Sequence, residues 1–122
     1  ALYVSDPKYN VDMFLGVGGG PEGVLAASAL DTYNCHFQGR FIFDNDNDIQ
    51  EAHSMGIEDL NKKYELNEIV RGDSIFCATG ITNTNVINGI VYDKDKFICE
   101  TLVTHKNSDF KGIVKNIISI EE

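Results

Sequence analysis

The sequence is poor in basic charge, in paired cysteines and in long apolar runs, and each shortage removes a class of function. Only 10 of its 122 residues are Lys or Arg, against 19 Asp and Glu, which leaves a net charge of −9. A nucleic-acid surface needs clustered cations, so that partner is excluded. The acidic excess favours solubility and is also compatible with a site built for cations. No apolar run approaches the ~18 residues of a membrane span, and no basic stretch precedes an apolar one at the start, so neither a membrane anchor nor a signal peptide is expected.

The cysteines Cys35, Cys77 and Cys99 are odd in number and widely spaced. A disulfide framework is not expected, and each should be a small buried hydrophobe in a reducing cytoplasm. Cys35-His36 with His53 makes a weak zinc set, because paired C-x-x-C and H-x-x-x-H spacings are missing. His36, His53 and His105 have no Ser, Cys or Asp partner at a spacing that would announce a catalytic triad. Repeats, low-complexity tracts and Pro/Ser-rich linkers are absent too, so the chain reads as one domain with one modest core.

The segments that remain alternate in character. Val11–Val17 reads as a buried strand, and Pro21 suits the first turn of a helix running to about Tyr33 and ended by Asn34. Val24, Leu25, Ala26, Ala27, Ala29 and Leu30 make that helix apolar on most faces, as a core helix should be. Residues 36–43 read as the next strand, Asp48 as the cap of a short helix over Ile49–Met55 stopped by Gly56, and Asn61–Val70 as a helical turn or two. Ser74–Thr79 reads as a buried strand, Ile90–Tyr92 and Phe97–Thr104 as a hairpin around the charged turn at residues 93–96, and Ile113–Ile120 as a last strand. The fold class is α/β: a mixed sheet of about five strands with helices packed on it, parallel early and antiparallel late. Residues 11–17, 36–43 and 74–79 should be neighbours in one sheet, with the first helix across them.

The stretch Gly16-Val17-Gly18-Gly19-Gly20-Pro21-Glu22-Gly23-Val24 joins the first strand to that helix. Gly18, Gly20 and Gly23 satisfy G-x-G-x-x-G, and Asp44 follows Gly23 by 21 residues, where a ribose-binding acid belongs. A dinucleotide-binding module is therefore one reading. A P-loop is not, since Val24 stands where Lys is required. The chemistry of the loop weakens the dinucleotide reading. Pro21 removes a donor from the helix N-terminus that would hold a pyrophosphate, and Glu22 places a carboxylate in its first turn. That carboxylate is instead a hard oxygen ligand suited to Mg²⁺ or Mn²⁺, while the glycines let a metal-bound phosphate approach the backbone. As a plain alternative, Glu22 is a first-turn acid that complements the helix dipole. Asp44-Asn45-Asp46-Asn47-Asp48 imitates an EF-hand loop, but Ile49 stands where the turn glycine is needed and Met55 where the bidentate Glu is needed. It reads as a solvated acidic loop ending in a helix cap.

Gly18-Gly19-Gly20-Pro21-Glu22-Gly23-Val24-Leu25-Ala26-Ala27 resembles the GGxPEGVLAA signature of the class II (GlpX-type) fructose-1,6-bisphosphatases. Further matches come in the same order: Gln38-Gly39-Arg40, Met55-Gly56-Ile57, Arg71-Gly72-Asp73, Ala78-Thr79-Gly80-Ile81-Thr82 and Glu100-Thr101-Leu102-Val103. The resemblance covers essentially the whole chain and is to the last third or so of a family member. It implies the C-terminal half of the sugar-phosphatase fold and a metal-dependent hydrolysis of fructose 1,6-bisphosphate in gluconeogenesis. It implies Glu22 as a ligand of Mn²⁺ or Mg²⁺ and Gly19, flanked by Gly18 and Gly20, as a backbone contact to the sugar phosphate. No catalytic residue is assigned in this stretch. The implied partners are the sugar bisphosphate, the N-terminal portion that carries the other carboxylates, and further copies in a cytoplasmic homo-oligomer. Glu22 should point toward the open end of the sheet, near Thr79–Thr82. A non-catalytic α/β assembly domain is a third reading.

Overall fold

A computed structural model describes residues 1–120. Two short 3-10 turns, Leu2–Ser5 and Pro7–Tyr9, lead into an extended segment and then α1, Gly20–Thr32. Next along the chain are β1 (Gln38–Gly39), α2 (Asp46–Ser54), β2 (Tyr64–Glu65), α3 (Leu66–Ile69), β3 (Ile75–Thr79), β4 (Val91–Asp93), β5 (Lys96–His105) and β6 (Phe110–Ser119).

The C-terminal half is a sheet organised by β5. Its whole length pairs antiparallel with β6, from Lys96 opposite Ser119 to His105 opposite Phe110. Along the other edge of β5, β4 covers Lys96–Ile98 and β3 covers Thr101–His105, both antiparallel. The β4–β5 hairpin turns through Lys94-Asp95, with Lys94 at φ 57°, the left-handed backbone that a two-residue hairpin turn requires.

α1 packs on this sheet against β3 and β5. Its C-terminal half supplies the core: Ala27, Ala29, Leu30, Asp31 and Thr32 are buried, facing Leu102 and Thr104 of β5. Burying a Leu such as Leu30 contributes about 1.5–3 kcal/mol. The polar members of the core are satisfied. Thr32 Oγ1 donates to Thr104 Oγ1 at 2.8 Å, while Asp31 accepts from Ser74 Oγ at 3.0 Å and Lys106 Nζ at 2.7 Å. Asn34, at φ 55°, ends the helix as expected.

Several expectations are corrected. Residues 11–17 form no strand: Met13, Phe14, Leu15 and Val17 are exposed, because no described strand offers them a pairing edge. The strand expected over 36–43 shrinks to Gln38–Gly39, which pairs with Tyr64–Glu65 in a separate two-stranded sheet rather than with β3. Every pairing among the described residues is antiparallel, so the early parallel part of the sheet is not formed. The sheet covers only one end of α1, which leaves Val24 and Leu25 exposed. β3 is covered on one face only: Phe76 and Ala78 turn toward α1, while Ile75, Cys77 and Thr79 are exposed. Cys77 is therefore not buried, and Cys35 and Cys99 are only half-buried; all three are free. The cap of α2 is Asn45, whose side chain accepts from the Asn47 and Asp48 N–H groups, with Asp48 inside the first turn. α2 begins at Asp46 and closes before Gly56, where φ is +83°. The α/β class itself holds, as do α1, β3, the β4–β5 hairpin and the final strand.

Candidate functional site

The glycine loop runs exposed into the first turn of α1. Gly19 is the N-cap at φ −67° and ψ 155° and offers no capping side chain. The first N–H groups of a helix have no partner within it, and among the described residues no side chain caps those of Gly20 and Glu22, while Pro21 has no N–H to give. The Glu22 side chain folds back over the loop. A Cβ placed on Gly19 would lie 2.3 Å from Glu22 Oε2, so the carboxylate occupies the space that any side chain at Gly19 would need. No ion pair engages Glu22 among the described residues.

One turn further along, Leu25 and Ala26 form one side of a groove of about 530 Å³. The other side is the end of β3 and the start of the loop beyond it: Phe76, Thr79, Ile81 and Thr82. Thr79–Thr82 thus lies across the groove from Leu25 and Ala26, whereas Gly18, Gly19, Gly20 and Glu22, beside which the sequence set it, are not among the residues lining this groove. Thr79 Oγ1 and Thr101 Oγ1 share a hydrogen bond of 2.9 Å across the β3–β5 pair.

Residues 80–90 form a compact loop that sequence reasoning left without a role. Its two limbs cross closely: a Cβ on Gly80 would meet Asn88 O at 2.3 Å, and one on Gly89 would meet Ile81 O at 2.6 Å. Only glycine fits at either place. Glu100 holds the loop, its carboxylate accepting from the Asn88 N–H at 2.8 Å and from Asn88 Nδ2 at 3.0 Å. These bonds, the backbone one first, keep its carboxyl below the usual range, and the charge of Lys115 adds to them. The sequence signal was present in the Glu100-Thr101-Leu102-Val103 motif, but its partner lies across a hairpin and is visible only in three dimensions.

His105 also has partners that spacing did not announce. Its Nε2 is 2.7 Å from Asp73 Oδ2 and its Nδ1 is 2.7 Å from Ser108 Oγ. Asp73 also accepts from the Asn107 N–H at 3.2 Å, so the cluster fastens the β5–β6 turn to the start of β3, at the opposite end of β3 from Thr79–Thr82. His36 is exposed, and His53 finds local partners: its Nδ1 donates to Ile57 O at 3.1 Å and lies 4.0 Å from Glu58 Oε2.

The sequence matches the family described as "Bacterial fructose-1,6-bisphosphatase, glpX-encoded" over residues 1–120. The chain belongs to this family. Among similar curated proteins, the D-fructose 1,6-bisphosphatase class 2/sedoheptulose 1,7-bisphosphatase of Prochlorococcus marinus strain MIT 9515 is 34% identical over 95 residues, covering 66% of this chain and 28% of that protein. The protein of the same name from Trichormus variabilis is 30% identical over 121 residues, covering 88% of this chain and 35% of its own length. This fructose-1,6-bisphosphatase family member therefore spans about a third of the length of the curated relatives it matches. Among the described residues no three His, Cys, Asp or Glu side chains come together as a metal cage. Glu22 fits a divalent cation as a single ligand, an ionisable oxygen turned over a glycine, and would need ligands from elsewhere to complete the shell. Among the described residues no helix is long and apolar enough to cross a membrane.

Proposed function

We propose that this chain supplies the C-terminal part of the active site of a class II fructose-1,6-bisphosphatase, which hydrolyses the 1-phosphate of fructose 1,6-bisphosphate to give fructose 6-phosphate and phosphate. The observation that carries the reading is the glycine loop entering α1 with the Glu22 carboxylate folded over Gly19. Gly18, Gly19 and Gly20 carry no side chain to hold a phosphoryl group off the backbone, and the free N–H groups at the helix start donate to its oxygens. Glu22 holds a divalent cation, Mn²⁺ or Mg²⁺. Such an ion, when bound, offsets charge on the phosphoryl oxygens and lowers the pKa of water. The groove between α1 and Thr79–Thr82 accommodates the sugar. The residues that orient the attacking water, the remaining metal ligands and the basic groups for the distal phosphate belong to the N-terminal portion of the enzyme. The relatives' names add sedoheptulose 1,7-bisphosphate as a second substrate of the same ketose bisphosphate class. We further infer a cytoplasmic homo-oligomer acting in gluconeogenesis, a reading that the family resemblance supports.

The dinucleotide reading loses its structural basis. Residues 11–17 form no strand, β1 pairs antiparallel with β2, and Asp44 lies in the loop before α2, its N–H donating to Asp48 Oδ2 at 3.2 Å. The parallel strand–helix–strand unit that presents a pyrophosphate to a helix N-terminus is therefore not assembled from these segments.

The test is Glu22→Gln in the full-length enzyme, with phosphate release measured across a Mn²⁺ titration. An amide of nearly the same size replaces the anionic oxygen, so the fold persists and the Mn²⁺ needed for half-maximal activity rises. Wild-type activity with unchanged Mn²⁺ dependence rejects the ligand role.

A further inference from the structure

β3 and β4 lie one after the other along a single edge of β5, and they leave a gap opposite Cys99 and Glu100. The chain departs from β3 and returns to β4 at this gap, and residues 80–90 are the excursion between them. Glu100 fastens both limbs. Its backbone carbonyl accepts from the Gly80 N–H at 3.0 Å where the chain leaves. Its carboxylate accepts from the Asn88 N–H and Nδ2 where the chain comes back.

The rest of the loop closes on itself. Ile90 N–H donates to Ile81 O at 3.2 Å, Gly89 N–H to Asn83 Oδ1 at 2.9 Å, and Thr84 Oγ1 accepts from the Val86 and Ile87 N–H groups. Ile87 is buried beneath it. The tip is tied to the N-terminal segment, where Tyr9 Oη donates to Asn85 O at 2.8 Å and Tyr3 stacks on Tyr9 at 4.2 Å. A compact loop with its ends together keeps one shape only if its internal bonds hold. Of those bonds, the pair at the Glu100 carboxylate involves an ionised acceptor and is the stronger kind. The departing limb, Thr79–Thr82, is the wall of the groove that faces Leu25 and Ala26 of α1.

We propose that Glu100 is a positioning residue for the substrate groove: through Asn88 it holds the loop of residues 80–90 in the shape that lets Thr79–Thr82 receive the sugar. The inference rests on the function proposed above and adds to it a residue that lies outside the glycine loop and touches neither the phosphate nor the cation. Because the wall makes its contacts in the bound ground state, loosening it weakens substrate binding more than it slows turnover.

The experiment compares full-length wild type, Glu100→Gln, Asn88→Ala and Thr104→Val. Glu100→Gln keeps the side-chain size but leaves one good acceptor for two donors; Asn88→Ala removes the side-chain bond and keeps the backbone one. Thr104→Val, buried four residues along the same strand, disturbs the core without touching the loop. Expected for Glu100→Gln is a rise in KM for fructose 1,6-bisphosphate of about five- to tenfold with kcat within about twofold, and faster amide exchange across residues 80–90. Asn88→Ala moves both readouts the same way by less. Thr104→Val lowers Tm and leaves KM in place. Unchanged KM in both loop variants, or unchanged exchange in Glu100→Gln, overturns the proposal, as does a KM rise in Thr104→Val equal to that in Glu100→Gln. Activity of the wild type reads the proposed function, and only the differences between variants read the role of Glu100, so the two ideas fail separately. Should Glu100→Gln not fold, Asn88→Ala decides alone, by the same criterion.

Discussion

Replacing Gly19 by Ala perturbs the geometry of the site while leaving the helix that carries it intact. The new Cβ falls 2.3 Å from Glu22 Oε2, and ordinary contact begins at 3.4 Å, so the carboxylate must recede by roughly 1 Å. It can do so at small cost, because it is the exposed end of a flexible side chain. The backbone at Gly19, φ −67° and ψ 155°, is one that Ala adopts freely. The loss of a tolerated N-cap glycine and the stiffer unfolded chain oppose each other, leaving stability within about 1 kcal/mol of wild type. Catalysis is less forgiving, since a misplacement of about 1 Å can cost on the order of a hundredfold in rate. The full-length Gly19→Ala enzyme should therefore melt with the wild type, yet release phosphate from fructose 1,6-bisphosphate up to about a hundredfold more slowly and need more Mn²⁺. The assay is steady-state phosphate release at several Mn²⁺ concentrations beside a thermal melt. A wild-type rate and Mn²⁺ dependence would show that the carboxylate over Gly19 has no part in the reaction.

The packing and the charges set further outcomes. Gly89→Ala sets a Cβ 2.6 Å from the Ile81 carbonyl oxygen and the Thr82 carbonyl carbon, backbone atoms that cannot swing aside, and should destabilise by about 1–3 kcal/mol in a thermal or urea melt. Leu102→Ala empties the buried contact between β5 and α1 and should cost about 2–5 kcal/mol, read as a fall in Tm of roughly 10 °C or more. Asp73 is held below the usual carboxylate range chiefly by its hydrogen bond to His105. The stability this adds is present above the ordinary Asp pKa and is lost as pH falls through the lower folded value. Asp73→Asn should accordingly melt earlier than wild type at neutral pH, and the two melting curves should converge in strong acid; a gap that widens on acidification would reverse the assignment.

Residue order alone revealed whatever local signals decide. Pro21 at a helix start, the charged turn at residues 93–96 and the alternation along Phe97–Thr104 each carry their own instructions, and α1, the β4–β5 hairpin and β6 were legible for that reason. Strands are different, because an apolar run becomes one only when another edge is there to pair with it. Residues 11–17 and 36–43 have the composition of strands, yet the described residues give the first no partner and the second only Tyr64–Glu65. The same limit applies to the site. Glu22 and Gly19 stand three residues apart in one motif, so they were candidates together from the sequence, and the structure sets the Glu22 carboxylate over Gly19. The Glu100–Asn88 and His105–Asp73 contacts join residues brought near by hairpin register, which no spacing rule reveals.

A divided site, of which this chain holds one part with a single carboxylate for a cation that prefers about six oxygens, lies at the centre of the proposed function. It is tested most directly by measuring phosphate release from fructose 1,6-bisphosphate in Mn²⁺ with this chain alone, and again after mixing it with the N-terminal portion of the enzyme. Little or no release is expected from the chain alone, and on mixing an activity that Glu22→Gln abolishes or shifts to higher Mn²⁺. Robust turnover by the chain alone would place the catalytic site elsewhere and contradict it.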